Sequence, residues 1–336
     1  MCNPLVSVII PLFNKEKHIE RAIRSVATQS FSNWELIIID DGSTDNSLIV
    51  AKQACHSLNA KIISQENRGP GAARNVGLKL AKGQFVSFLD ADDEWLPSFL
   101  EITTSFLLSS KQCDLVTTSY FMFPLGDSMV PSQHEHGLEN GVIHFSENTS
   151  VDFALYVLSC ICPWSTLVNV DIIKKYGGFF DKYRCLYGED SFLWLKIILN
   201  EPFGIILKPL VNYHTEASEC AFNLRKLHEV PPMLLFPDDI RSVCPEKILP
   251  LLNGILESYA LDFVNKAARF WQGRLGKQIL NKFPSTDSAQ KNRFRIHLNL
   301  MFSPILSLKL SIFHFLIDTF PSLYFFYRNL KYKRVR

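Results

Sequence analysis

The feature that most constrains this chain is an alternation in its first ninety residues. Short apolar runs, Leu5–Ile10, Trp34–Ile39, Lys61–Ser64 and Gln84–Leu89, are separated by stretches of helical periodicity. Ile19, Ala22, Ile23 and Val26 recur at helical spacing through 16–29. Asp45 is placed to cap a second helix reaching about residue 56. A Gly/Pro loop, Arg68–Gly71, opens a third, with Ala72, Ala73, Val76 and Leu80 on one face. Apolar strands alternating with helices predict an α/β fold whose parallel sheet is covered on both faces. In such sheets ligands bind beyond the carboxyl ends of the strands. Three strand-end loops carry the polar chemistry here: Pro11–Asn14, Asp40–Asp45 and Asp90–Asp93. The topology gathers them on one rim.

The third loop sets three carboxylates, Asp90, Asp92 and Asp93, within four residues. Like charges that close repel, so the cluster calls for a cation. Carboxylate oxygens suit Mg²⁺ or Mn²⁺, which bridge well to a diphosphate. The plainer alternative is an acidic turn capping the next helix. The position of the cluster beside two other strand-end loops favours the metal–nucleotide reading.

The 336 residues allow one large domain or two ordinary ones. At 47% hydrophobic and 20% charged residues, a sizeable core is available and disorder is not expected. A net charge of +2 argues against a dedicated nucleic-acid partner. The eight cysteines include no Cys-x-x-Cys pair, so zinc has little support, and free thiols in a reducing compartment are expected. Met1–Pro11 lacks the pattern of a secretory signal, which points to the cytoplasm.

Beyond the fourth apolar run, residues 119–150 read as a loop or hairpin insertion. Ser165–Val170 and Gly204–Leu210 are strand-like, and Ser191–Leu199 is helical. From about 216 to 336 the alternation gives way to helix. The stretch from about 297 is rich in Leu, Ile and Phe but interrupted by Pro304, Lys309, His314, Asp318 and Pro321, so a spanning helix is not expected. It ends in Lys331, Lys333, Arg334 and Arg336, the pattern of a segment lying on an anionic membrane surface. The competing reading is a helical pair packed on the main domain.

Taken together, these residues resemble the family 2 glycosyltransferases of the GT-A fold. The resemblance is carried by Val6–Asn14, by Ile37–Asp45, by Asn67–Gly77 and by Phe88–Asp93, followed by Gly188-Glu189-Asp190 with Trp194. It covers roughly residues 4–215. It implies a Rossmann-like glycosyltransferase domain over 1–215, with a nucleotide-sugar half over 1–118 and an acceptor half over 119–215. A helical region over 216–336 follows.

The resemblance implies transfer of a sugar from a nucleotide sugar, UDP-linked by expectation, to an acceptor hydroxyl with inversion. Mn²⁺ or Mg²⁺ would stabilise the leaving diphosphate as a Lewis acid. Asp92 is the expected metal ligand, with His214 a further candidate. Asp90 is expected at ribose or the metal's water shell, with Ala91 beside it in the nucleotide-sugar contact set, and Asp93 at the turn or the next helix cap. Asp41 is expected to read the base by accepting its imide N–H, while Asp40 fixes the turn. Pro11 and Phe13 are expected to line the nucleotide pocket, with strand-end packing as the alternative; Arg74 is expected to reach the diphosphate, with a surface position as the alternative; and Asn67 and Arg68 are weaker candidates. Asp190 is the expected general base, with Glu189 as the fallback; a plain helix N-terminal pair is the alternative. Trp164 and Trp194 are candidates for stacking on a sugar or for the core. The implied acceptor is a glycan or a polyprenyl-diphosphate-linked sugar at the cytoplasmic face of the membrane, in polysaccharide or O-antigen assembly. Two other functions compete: a nucleotide-sugar-binding protein without transfer activity, and a nucleotidylyltransferase. The latter lacks its glycine-rich loop here, since Pro11-Leu12-Phe13-Asn14-Lys15 follows the first strand.

Overall fold

The computed structural model describes residues 4–110, 112–218, 229–270 and 272–283. The chain opens with β1 (Val6–Leu12), α1 (Ile19–Ala27), β2 (Trp34–Asp40), α2 (Ser47–Ala54), β3 (Ala60–Ser64), α3 (Pro70–Leu80) and β4 (Phe85–Phe88). The order β3-β2-β1-β4 is parallel throughout, with Ile9 set between Ile37 and Phe88. Ile9, Ile37 and Ile38 are fully buried, as strands covered on both faces must be. Ile19, Ala22, Ile23 and Val26 are the buried stripe of α1. Burying each of the three larger ones contributes roughly 1.5–3 kcal/mol. Pro11, expected to end the first strand, lies inside β1, opposite Ile39. It sits beyond the last β4 partner, Ile9, so its missing N–H breaks no bond to β4.

The second half is mixed. After β5 (Glu94–Trp95), α4 (Phe99–Ser109), β6 (Leu115–Phe123), β7 (Asp127–Ser128), α5 (Val130–Glu135), β8 (Gly141–Ile143) and α6 (Val151–Cys160) comes β9 (Thr166–Asn169). Strand β9 is antiparallel to β4 on one side and to β6 on the other. Then follow α7 (Val170–Lys175), α8 (Glu189–Ile198) and β10 (Phe203–His214). Strand β10 runs parallel to β6, slipping register on both sides of Pro209, and its end pairs with β5. That last pairing carries His214 to the loop holding Asp93. Residues 119–150 thus form a strand end, a short hairpin, a helix and an edge strand.

No strand follows β10 among the described residues. Helices α9 (Pro232–Leu235), α10 (Pro237–Arg241), α11 (Leu249–Arg269) and α12 (Gly273–Lys282) complete the described residues. Two compact units divide the described residues: the first holds those up to 218 together with 229–255, the second those from 256 onward. No helix of the described residues is long and apolar enough to cross a membrane. The expected membrane-surface segment from about 297 lies outside the described residues.

Candidate active site

The loops after β1, β2 and β4 meet at one rim of the sheet. Asn14, at φ 51°, ties the first two: its N–H donates to Ser43 Oγ (3.1 Å), and its Oδ1 accepts from the Thr44 N–H (2.8 Å). Asp40 Oδ1 accepts from the Ser43 N–H (3.1 Å), fixing the turn. The N-cap position of α2 falls on Asn46 rather than Asp45, yet Asp45 Oδ1 still accepts from the Ser47 N–H (2.9 Å).

Asp41 is buried, and its carboxylate grips the loop that precedes α3. Oδ1 accepts from Gln65 Nε2 (2.7 Å) and the Arg68 N–H (2.9 Å), and Oδ2 from the Gly69 N–H (2.8 Å). An ionised carboxylate has about four acceptor positions. One on Oδ2 is left for a ligand. Pro11, near the end of β1, and Phe13, in the loop after it, stand half-buried. Asn67 accepts through Oδ1 from Arg184 Nε (2.7 Å), while Arg68 is exposed.

Two glycines then set the distance between the halves of the site. A Cβ on Gly69, which has φ +90°, would lie 2.8 Å from the Cys185 carbonyl oxygen, and one on Gly71 2.3 Å from that of Phe180. Only glycine permits this approach. It brings the start of α3 against the segment leading into α8, and Arg74 spans the contact. Its Nη1 lies 2.7 Å from Glu189 Oε1 and its Nη2 2.7 Å from Asp90 Oδ1. The guanidinium carbon is 5.3 Å from the centre of the Phe179 ring. The sequence sends Arg74 toward a diphosphate; in this structure two carboxylates engage both of its Nη groups, and its buried Nε has no partner. A planar fork is suited to such a double bridge.

Glu189 and Asp190 form the first turn of α8, after Gly188 in the left-handed region. Burial, then the charge of Asp190, pushes Glu189 up to about 7, against the pull of Arg74. Burial also raises Asp190, opposed by Arg74 and by the Ser191 N–H, which donates to Asp190 Oδ1 (2.7 Å). Burial would lower the Arg74 pKa, but Asp90, Glu189 and Asp190 outweigh it and the net direction is up. Glu189 thus holds the bridge through Oε1. The half-buried Asp190 keeps Oδ2 free of protein partners among the described residues.

In the acidic loop, Ala91 is buried at 3% exposure. Asp92 Oδ2 lies 2.9 Å from Lys15 Nζ, and Arg21 Nη2 donates to the Asp92 carbonyl. Burial raises the Asp92 pKa and Lys15 opposes it. Asp93 braces the loop and does not cap α4, whose N-cap is Ser98. Asp93 Oδ1 accepts from the His214 N–H (2.9 Å), and burial, then Asp92 and Asp90, hold its carboxyl well above the usual range. His214 is the last residue of β10. Its Nδ1 is 2.7 Å from Glu216 Oε1, while its buried Nε2 has no hydrogen-bond partner. Trp164 and Trp194 are core residues: the first stacks on Tyr213, the second is fully buried against Phe179.

Sequence reasoning passed over Lys15, Arg21 and Gln65. Lys15 had one legible signal, its place in the first strand-end loop, where a cation faces two acidic loops. Arg21 and Gln65 had none.

This arrangement is a sheet-rim site, with acidic loops on one side and a carboxylate-bearing helix N-terminus on the other, in a GT-A fold. Solved structures with the same fold include S. aureus TarS 1–349 in complex with UDP-GlcNAc, at TM-score 0.57 and 18% identity over 91% of this chain and 88% of that one. The mannosyltransferase PcManGT from Pyrobaculum calidifontis, in complex with GDP-Man and Mn²⁺, aligns at TM-score 0.55 and 16% identity over 92% and 88%. Residues 7–177 match Glycosyl transferase family 2, and the chain belongs to that family. It is a glycosyltransferase. It is 39% identical over 266 residues to the UDP-Glc:alpha-D-GlcNAc-diphosphoundecaprenol beta-1,3-glucosyltransferase WfgD of Escherichia coli, covering 78% of this chain and 97% of that protein. The putative teichuronic acid biosynthesis glycosyltransferase TuaG of Bacillus subtilis is 39% identical over 58% of this chain and 72% of its own length. An uncharacterized glycosyltransferase of Rickettsia conorii is 31% identical over 61% of this chain, which spans only 32% of that longer protein.

Proposed function

We propose that this enzyme moves a sugar, with inversion, from a UDP-sugar to a hydroxyl of a polyprenyl-diphosphate-linked glycan, with Asp190 as general base. The observation that carries the reading is the Arg74 bridge. One buried guanidinium joins Asp90 of the donor loop to Glu189 of the base-bearing helix, so the halves of the machinery are held at a fixed separation. Glu189 is buried and holds the bridge through Oε1, and the more exposed Asp190 accepts the acceptor's proton on Oδ2 as the new bond forms. The open position on Asp41 Oδ2 suits the imide N–H of uracil.

The residues fit a divalent cation. Asp92 offers a carboxylate, and His214 a buried Nε2 without a partner, its ring oriented through Nδ1 by Glu216. No group of three or more His, Cys, Asp or Glu among the described residues could hold a metal alone. That suits Mg²⁺ or Mn²⁺, which take one or two protein ligands and complete their shell with phosphate oxygens and water. Bound there, the cation would stabilise negative charge on the leaving diphosphate. The donor and acceptor classes rest on the name and coverage of WfgD. An acceptor of that class places the enzyme at the cytoplasmic membrane surface, a position that the basic, apolar sequence of 297–336 fits.

The test incubates the full chain and Mn²⁺ with UDP- and GDP-sugars and a GlcNAc-diphosphoprenyl acceptor, followed by mass spectrometry of the lipid product. The expected result is a hexose added from a UDP-sugar. Transfer from GDP-sugars alone, or none to a diphosphoprenyl acceptor when a free glycan is glycosylated, would refute the donor or the acceptor class.

A further inference from the structure

Lys15 stands where the functional reading leaves an ammonium unexplained. It lies in the loop after β1, anchored by its own N–H to Ser47 Oγ (2.6 Å). Its Nζ reaches Asp92 Oδ2 at 2.9 Å and also donates to the Ala217 carbonyl at 2.8 Å. Both side chains of the ion pair are largely removed from water, at 16% and 12% exposure. The contact therefore differs from a solvated surface pair, whose net worth is small. On either side of it lie the β1 loop and the residues just past His214.

We propose that Lys15 is an internal counter-ion that occupies Asp92 in the metal-free enzyme and gives it up only when nucleoside diphosphate arrives. The inference rests on the reading that Asp92 ligates the divalent cation. An ammonium and a divalent cation cannot share one carboxylate oxygen without strong mutual repulsion. A metal that takes Asp92 Oδ2 therefore displaces Lys15, and a displaced ammonium in a half-buried site needs a new anion. The diphosphate supplies one. Lys15 thus makes metal binding weak alone and strong with nucleotide, and by linkage each ligand strengthens the other by the same factor. Entry of the metal also frees the Ala217 carbonyl.

Mn²⁺ binding, read from the loss of the free-ion paramagnetic resonance signal, distinguishes the possibilities in wild type, Lys15→Met, Lys15→Gln, Lys15→Arg and Asp92→Asn. Each is titrated with and without saturating UDP, and thermal melts confirm that each is folded. Lys15→Gln keeps a donor for the Ala217 carbonyl, so it tests the charge even if the Met variant does not fold. Expected are Mn²⁺ affinities without UDP about tenfold above wild type in Lys15→Met and Lys15→Gln, with the gain from UDP reduced by a similar factor. Lys15→Arg, which keeps the charge, should stay within about twofold of wild type in both conditions. Unchanged or weaker Mn²⁺ binding in the Met and Gln variants, with binding lost in Asp92→Asn, would overturn the inference and leave the metal reading standing. Equal Mn²⁺ binding by wild type and Asp92→Asn in both conditions would overturn both.

Discussion

Replacing Arg74 with Gln removes a group that neutralises two carboxylates at once. Arg74 is 4% exposed, and the side chains of Glu189 and Asp90 are 8% and 29% exposed. Breaking a buried pair by removing one partner costs about 3–5 kcal/mol. Asp90 is better solvated than Glu189, which puts the expectation at the low end, ~3 kcal/mol at pH 9. Glu189 can lower that cost by taking a proton. Its pKa is already about 7 with Arg74 in place, and losing the guanidinium raises it further. A carboxyl whose folded pKa is raised binds its proton in the folded state first, so acidification favours folding. The slope is about 1.4 kcal/mol per pH unit between the folded and unfolded pKa values. The variant enters that window at a higher pH than wild type, so the stability gap narrows from pH 9 toward 7 and then runs level. Urea unfolding followed by tryptophan fluorescence at pH 9, 8, 7 and 6 measures this. A gap below about 1 kcal/mol at pH 9, or one that widens on acidification, would refute the bridge as the source of the stability.

Four further outcomes are expected. Asp190→Asn should lower turnover by about 10²–10⁴-fold while donor affinity, measured calorimetrically, stays nearly unchanged; and because Asp90 raises the Asp190 pKa, Asp90→Asn should move the acid limb of the wild-type pH–rate profile to lower pH. Asp41→Ala strips three donors of their acceptor and should cost about 1–3 kcal/mol in urea unfolding, together with a measurable loss of UDP affinity. Gly71→Ala forces its Cβ against the Phe180 carbonyl and should cost about 1–3 kcal/mol, with slower turnover as α3 and α8 are pushed apart; a variant with wild-type stability and rate would show that the close approach is dispensable.

The sequence by itself determined the parallel part of the sheet. Ile9, Ile37, Ile63 and Phe88 lie in apolar runs short enough, and separated by helices regular enough, to admit only a parallel sheet with its loops on one rim. Strand β1 was read a little short, because a proline ordinarily ends a strand; beyond the last β4 partner, Pro11 loses nothing by lacking an N–H. The antiparallel insertion of β9 was not legible. Thr166–Asn169 is as apolar as its neighbours, and direction is decided by pairing partners far away in sequence. The acidic cluster was legible as a cluster, and its division of labour was not. Spacing places Asp90, Asp92 and Asp93 together. Only packing sends Asp90 to Arg74, Asp92 to Lys15 and Asp93 to the backbone of His214. The same holds for Glu189 and Asp190, adjacent and chemically alike in sequence. Tertiary structure decided that Glu189 meets Arg74 while Asp190 accepts from the Ser191 N–H. Ion pairs and buried hydrogen bonds form between groups that meet only after the chain has folded, whereas apolar periodicity is written in residues that are neighbours along it.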